Sequence, residues 1–276
     1  MRVAYFPNQC ALNSVPVMQA VLDSLRRAGH TIEQNSQDAD AAIIWSVLWS
    51  GRMAENKAVY DRYRAHGKPV IIVDVGALYR GETWKIAVNH INRLGYYGHT
   101  ENLDMDRPKK LGISLALNLS PNPAILIAAQ HRFSLQLANQ NHEAWIMDQI
   151  EKIRKVSDRP IVIRPHPRSP LQIVTITDTI TIEKPARIPN TYDSFDMNFD
   201  YHAVVNYCSG TGIQAAISGT RPIVGTYSLA APVSVAIENL DWPYDINRDQ
   251  WLVEICHTEY TVKEIEQGIW IHRLKL

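Results

Sequence analysis

The run Val70-Ile71-Ile72-Val73-Asp74-Val75-Gly76 is the feature that most limits how this chain can fold. Its first four residues are apolar at consecutive positions, and the run is too short for a helix. It therefore reads as a strand buried on both faces. Runs of the same kind recur at residues 2–6, at Ala41-Ala42-Ile43-Ile44-Trp45, at Ala124–Ala129, at Ile161-Val162-Ile163, and at Val204-Val205. Between them lie segments with helical spacing. From Ser14 to Arg27, Val15, Met18, Val21, Leu22 and Leu25 share one face, and Gly29 stops the helix. Residues 53–66 and about 141–156 read the same way, the latter with Trp145, Ile146, Ile150 and Ile153. Strands alternating with helices predict an α/β architecture of parallel sheets covered on both faces.

A chain of 276 residues suits one large domain or two smaller ones. Residues 100–123 read as loop and linker around a short apolar segment at Leu115–Leu119, with Arg107-Pro108-Lys109-Lys110 and Ser120-Pro121-Asn122-Pro123 as punctuation. A boundary there predicts domains of 1–120 and 121–276. A β-rich stretch is expected at Ile173–Ile182. The second domain is expected to carry a C-terminal helix opened by the capping box Thr261-Val262-Lys263-Glu264 and given an apolar face by Ile265, Ile269 and Trp270. Formal net charge is zero, which argues against a protein that lives by non-specific attraction to nucleic acid while leaving room for a local basic groove. No run approaches the ~18 to 20 apolar residues of a membrane helix, and the N-terminus reads as a strand and not a signal peptide. Three widely spaced cysteines, Cys10, Cys208 and Cys256, fit a reducing cytoplasm better than a disulfide framework.

Chemistry concentrates at two strand ends in the second half. In Val204–Ala216 an apolar run meets the polar turn Ser209-Gly210-Thr211-Gly212, and a helix-compatible segment follows. A helix N-terminus placed there offers unpaired N–H groups and the positive end of its dipole to an anion, most often phosphate. Gly210 and Gly212 are expected to admit a ligand close to the backbone, with Ser209 and Thr211 adding hydroxyl donors. Upstream, the strand Ile161–Ile163 breaks into Arg164-Pro165-His166-Pro167-Arg168. Helix N–H groups at one strand end and Arg and His at another predict a diphosphate site. In the first half, Asp74 ends its strand and is followed by Tyr79, Arg80, Glu82, Trp84 and Lys85, then by Asn89, His90, Asn92 and Arg93. Ligands of parallel sheets lie beyond the carboxyl ends of strands, so Asp74 and this loop are placed for function, unless the segment is a solvated hairpin insertion.

Two Rossmann-like halves of this kind resemble the GT-B architecture of nucleotide-sugar glycosyltransferases, in which two such domains face each other across a cleft. Arg164-Pro165-His166-Pro167 resembles the His-Pro element of capsule and teichoic-acid transferases. Ser209–Ala216 resembles the Ser-Gly-Gly turn and helix of GT-B enzymes and of UDP-sugar 2-epimerases, and Gly219-Thr220-Arg221-Pro222-Ile223-Val224 is similar to the strand start that follows it, with one residue more before the proline. The resemblance covers about sixty residues of the second half. It implies an N-terminal acceptor domain and a C-terminal donor domain whose Ser209, Gly210, Thr211 and Gly212 hold the donor diphosphate near His166, with Arg164 or Arg168 neutralising the leaving group. The ribose position, acidic in the family, is Gln214 here, an uncharged and weaker contact. The donor implied first is a UDP-sugar. No metal is required, because helix N–H groups and Arg can stabilise the leaving diphosphate.

Transfer needs a base for the acceptor hydroxyl, and Asp74 is the leading candidate, with His90 and Glu82 as rivals and Asn8-Gln9 as an acceptor-binding turn. The compact size resembles transferases of tailed bacteriophages that glycosylate hydroxymethylated pyrimidines. A double-stranded DNA acceptor would use Arg52, Arg62, Arg64, Tyr79, Arg80, Trp84 and Arg93 around a flipped base. Two other readings stay open: a UDP-sugar 2-epimerase-like enzyme, and a nucleotide binder without chemistry, which Gln214 favours.

Overall fold

The computed structural model describes residues 1–117, 121–137, 140–172, 177–191, 194–195 and 197–276. In chain order the strands are β1 (Arg2–Tyr5), β2 (Thr31–Gln34), β3 (Ala41–Trp45), β4 (Val70–Val75), β5 (Thr83–Val88), β6 (Ile125–Ala128), β7 (Ile161–Arg164), β8 (Ile180–Ile182), β9 (Ala203–Asn206), β10 (Arg221–Val224) and β11 (Glu259–Thr261). The α-helices are α1 (Val15–Arg27), α2 (Asn56–Ala65), α3 (Arg107–Lys110), α4 (His142–Arg154), α5 (Gly210–Ile217), α6 (Asp249–Cys256), α7 (Val262–Glu266) and α8 (Ile269–Leu274). Two compact units result: Met1–Asp104 with Glu254–Leu276, and Met105–Val253. Part of the expected β-rich stretch, residues 173–176, and part of the expected linker, residues 118–120, lie outside the described residues.

The first unit holds a six-stranded sheet in the order β11-β5-β4-β3-β1-β2. β1 pairs parallel with β2 and β3, and β3 parallel with β4. β5 returns antiparallel to β4, and β11 antiparallel to β5. The all-parallel sheet expected here is therefore mixed. Residues 76–82 are too few for a crossover helix, which needs about ten to twelve residues, so the chain can only fold straight back. Helix α1 lays Val17, Met18, Val21, Leu22 and Leu25 on Val3, Ile43, Ile71, Val73 and Ile86, and Gly29, at φ 85°, ends it in the left-handed conformation.

The tail completes this core instead of the second one. Tyr260, Ile265, Trp270, Ile271 and Leu274 are buried with α1, and the Trp270 indole N–H donates to Ser24 Oγ at 3.1 Å. The capping box forms as its spacing predicts: Thr261 Oγ1 accepts from the Glu264 amide, and the Glu264 carboxylate accepts from the Thr261 amide at 2.9 Å.

In the second unit the sheet is parallel throughout, in the order β10-β9-β6-β7-β8. One face buries Ile125, Ile127, Ile161, Ile163, Ala203 and Val205 against Ile146, Ile150 and Ile153 of α4. The other buries Leu126, Ala128 and Val204 with Ala215 of α5 and Tyr201. Asn141 caps α4 by accepting from the Ala144 amide at 3.0 Å. Among the described residues no helix is long and apolar enough to cross a membrane.

Candidate functional site

Connections in the second sheet diverge at β6. The chain runs from β6 through β7 to β8 on one side, then crosses to β9 and β10 on the other. The carboxyl ends of β6 and β9 flank that point, which is where open α/β sheets place ligands. Asn206, fully buried at the end of β9, ties the two ends together. Its Nδ2 donates to Ala128 O at 2.9 Å, and its Oδ1 accepts from the Ser209 amide at 2.8 Å. Gln130 Oε1 accepts from the Cys208 amide at 3.2 Å, so the turn before α5 is held from both sides. Ser209 then caps α5, with Oγ accepting from the Thr211 amide at 3.4 Å. Among the described residues the Gly210 amide has no acceptor, and Ser209, Gly210, Thr211 and Gln214 are all part-exposed. Gln214 lies one turn along from Gly210 on the same face of the helix.

Two imidazoles stand beside this turn. His131, after β6, and His166, after β7, meet edge to face with ring centres 5.0 Å apart. His131 Nδ1 accepts from the Phe133 amide at 3.2 Å, and His166 Nδ1 from the Arg168 amide at 3.2 Å. Each neutral ring thus carries its proton on Nε2 and is a donor there. Burial first, then the charges of Arg168 and Arg132, hold His131 below the ordinary imidazole range. Arg168 is exposed at the same edge. The set combines the Gly210 amide, the His166 imidazole and the Arg168 guanidinium, and contains no carboxylate: it favours an anion.

Arg164 and Gly212 serve differently from expectation. The Arg164 guanidinium is buried and donates to Asn198 O at 2.8 Å, to Tyr201 OH at 3.1 Å and to Glu183 Oε1 at 3.2 Å. Burial, with the Glu183 hydrogen bond adding to it, pushes the Tyr201 phenol up to about 12. Arg164 ties β7 to the segment leading into β9, and of the two arginines only Arg168 is exposed. Gly212 is buried, and a Cβ there would fall 2.8 Å from Val224 Cγ1. It lets α5 pack against β10; it does not open the backbone to a ligand.

In the first unit connections diverge between β1 and β3. Their carboxyl ends carry Asn8 and Gln9 on one side and Ser46 on the other, with Asp74 ending the next strand. Asp74 Oδ1 accepts from the Val75 amide at 2.7 Å and Oδ2 from Ser46 Oγ at 3.3 Å. Burial raises its pKa above the ordinary carboxylate value; the Val75 amide and Lys85 oppose that shift without cancelling it. A carboxylate poised in this direction suits a proton acceptor. Lys85 sits opposite Asp74 on β5 and opposite Glu259 on β11, a row of three charged side chains across the sheet. Lys85 Nζ lies 3.7 Å from Glu259 Oε1, both groups buried. Glu259 also accepts from the Ala77 and Leu78 amides at 2.7 and 3.0 Å and from Thr83 Oγ1 at 2.8 Å, and a Cβ at Gly76 would collide with its carboxylate. Sequence reasoning missed Asn206, Gln130 and Glu259, and took Lys85 for a binding group. The Asn-x-x-Ser spacing before α5 is the local signal for an Asx turn, whereas Glu259 had none, these three hydrogen-bond donors lying 176 to 182 residues away.

The expected acceptor set divides. Asn8, Gln9, Tyr79 and Arg80 lie at the carboxyl edge of the sheet with Asp74, and Tyr79 and Arg80 are exposed. Trp84 is buried in the core, which removes it from any nucleic-acid surface. His90 follows the far end of β5, whose Val88 pairs with Ile71 at the start of β4, so it lies at the opposite edge from Asp74. There its Nε2 is 3.4 Å from Tyr60 OH, and burial, then Arg64, lowers its pKa. Arg62 and Arg64, at the end of α2, and Arg93 belong to that far edge too, while Arg52 and Arg80 follow the near one. The basic residues therefore do not form one surface. Among the described residues no group of three or more His, Cys, Asp or Glu is arranged to hold a metal ion.

No family model and no curated protein matches the sequence. Among solved structures, the chain is similar to the β-Kdo 2,4-transferase of Thermosulfurimonas dismutans KpsC, at 10% identity over 99% of this chain and 98% of that one, with a TM-score of 0.55. It is also similar to the β-Kdo 2,7-transferase of the same KpsC, at 11% identity over 100% of each chain, with a TM-score of 0.51. The chain shares the fold of these glycosyltransferases from end to end.

Proposed function

We propose that this protein is a glycosyltransferase that moves a sugar from a nucleotide-sugar donor, a UDP-sugar first, to a hydroxyl acceptor. The observation that carries the reading is the anion-favouring set at the β6/β9 divergence, found in a chain with the fold of two Kdo transferases. The Gly210 amide, with the Ser209 and Thr211 hydroxyls, holds the diphosphate at the positive end of α5. Arg168 and the Nε2–H of His166 neutralise the charge that builds on the leaving phosphate, with His131 packed edge to face against His166. Gln214 reaches a ribose hydroxyl. Asp74, with its raised pKa, takes the acceptor proton, and Asn8, Gln9, Tyr79 and Arg80 contact the acceptor. The units divide the work as donor side (the second) and acceptor side (the first), in the cytoplasm. A hydroxymethylated pyrimidine of phage DNA is one candidate acceptor. Both neighbours carry Kdo transfer in their names, so a sugar acid is a candidate for the group moved.

The test is ligand-induced stabilisation by UDP, CMP, GDP, ADP and UDP-sugars. A nucleotide at about 100 times its Kd raises stability by roughly 2.7 kcal/mol. Arg168→Ala is expected to weaken that nucleotide about tenfold, a loss of ~1.4 kcal/mol, and Ser209→Ala with Gly210→Ala to weaken it further. No stabilisation by any nucleotide would sink the donor site. Sugar interconversion without acceptor would select the epimerase alternative, and binding without turnover the non-catalytic one.

A further inference from the structure

Buried acceptors without donors mark the carboxyl ends of β1 and β3. Asn56, at the start of α2, is 1% exposed. Its Nδ2 donates to Trp45 O at 2.8 Å and to Gln9 O at 3.1 Å, bridging the ends of the two strands. Turning the amide over would set its oxygen against both carbonyls, so this orientation is fixed by chemistry. Asn56 Oδ1 is buried and has no partner. Gln9 Nε2 donates to Glu55 Oε2 at 3.3 Å, which fixes its amide in the same way, and Gln9 Oε1 is likewise buried and unpartnered. Beside Trp45, Ser46 is held at φ 66°, and its hydroxyl donates to Asp74 Oδ2. A row of side chains thus crosses the ends of β1, β3 and β4, from Gln9 through Asn56 and Ser46 to Asp74.

Leaving a buried amide oxygen unsatisfied costs about 1–3 kcal/mol, so two at one strand divergence need an explanation. Both are acceptors, and the charged groups in the row, Glu55 and Asp74, are acceptors too. Lys85, across from Asp74, is buried against Glu259, and Arg52 on the neighbouring turn is exposed to solvent. A phosphodiester brings only acceptors to such a place and is repelled; a hydroxyl brings a donor and no charge. We infer that the carboxyl ends of β1 and β3 form a subsite for an uncharged polyol face, two or more saccharide hydroxyls that donate to Gln9 Oε1 and Asn56 Oδ1. This rests on the transferase reading and gives its acceptor a class: a neutral saccharide, which leaves Asp74 next in the row to receive a proton from a third hydroxyl.

The experiment is a 15N NMR titration of the full chain with methyl α-glucopyranoside and methyl α-mannopyranoside, and separately with hydroxymethylated duplex DNA and with UDP. A methyl glycoside is expected to move the side-chain amide signals of both Gln9 and Asn56, and Gln9→Met, which keeps length but removes the acceptor, to weaken that response at least tenfold. Gln9→Ala serves if Gln9→Met does not fold: it removes the same acceptor at a part-exposed position, and the glycoside response at Asn56 should weaken likewise. The inference is overturned if neither glycoside moves these signals, if Gln9→Met binds as the parent does, or if the DNA moves them at lower concentration than the glycosides. UDP shifts at Gly210 report on the donor site independently, so loss of this subsite and loss of the transferase reading are told apart.

Discussion

Replacing Glu259 by Ala tests the least expected part of the fold. The side chain is fully buried, and its partners include the amides of Ala77 and Leu78, the Thr83 hydroxyl and the Lys85 ammonium. Hydrogen bonds to a charged group contribute roughly 1.5–3 kcal/mol each, but these share one carboxylate and do not add. A better guide is the cost of removing one partner of a buried ion pair, about 3–5 kcal/mol, because Lys85 would keep only Asp74. A loss of about 4 kcal/mol, with a urea slope near 2 kcal/mol/M, moves the unfolding midpoint down by ~2 M. Tryptophan fluorescence in urea reads this through Trp45, Trp84 and Trp270, all buried in the first unit's core. Glu259→Gln keeps the shape and part of the hydrogen bonding, and should lose about half as much. Hydrogen exchange supplies the local check, since both the Ala77 and Leu78 amides lose their acceptor in the Ala variant, whereas the one oxygen left in the Gln variant keeps an acceptor for one of them. A loss under ~1 kcal/mol with both amides still protected would refute the reasoning.

Two further outcomes follow from the site residues. Gly212→Ala crowds Val224 and is expected to cost ~1–3 kcal/mol of stability by thermal unfolding, while Gly212→Ala with Val224→Ala recovers part of it and nucleotide affinity stays within about threefold. A variant that folds normally but no longer binds nucleotide would return Gly212 to the ligand site. Asp74 has its folded pKa raised above the unfolded value, so the folded chain binds the extra proton between the two; stability falls as pH rises through that window, upward from about pH 4. Asp74→Asn should flatten urea stability over this range, and an unchanged slope would show that the carboxylate is not strained by burial.

Local signals were enough for much of this architecture. Val70–Val75, Ala41–Trp45 and Ala203–Asn206 form strands because consecutive apolar residues have nowhere to go but between helical layers, and Ser209, Asn141 and the Thr261–Glu264 pair cap helices by chemistry confined to a few residues. The reading failed where partners are distant. Thr83, Trp84 and Lys85 look like binding groups until Glu259 and the core are seen to enclose them. Gly210 and Gly212 are indistinguishable in sequence, yet one opens a helix beside the anion-favouring edge and the other admits Val224. His90 looks near Asp74 only while the residues after Gly76 are read as one loop beyond β4, and the antiparallel β5 carries it to the other edge. The candidate site was legible as residue types at strand ends; which of them face the ligand depended on strand direction and on the Arg164–Glu183–Tyr201 contacts.

The return of Glu254–Leu276 to the first core sets an order for synthesis on the ribosome. Residues 105–253 form an uninterrupted unit and can close as soon as they emerge. The segment made first cannot finish, because the edge strand that covers β5 and the Trp270 that fills the space over α1 are made last. Its contacts span most of the chain length, and contacts of that kind form slowly. Until the tail arrives, β5 presents an unpaired edge and α1 an uncovered apolar stripe, the two exposures that most invite association. The nascent first half is therefore the part with the greatest need of a chaperone, and a truncation before residue 259 should appear as aggregate, with residues 105–253 still folded within it.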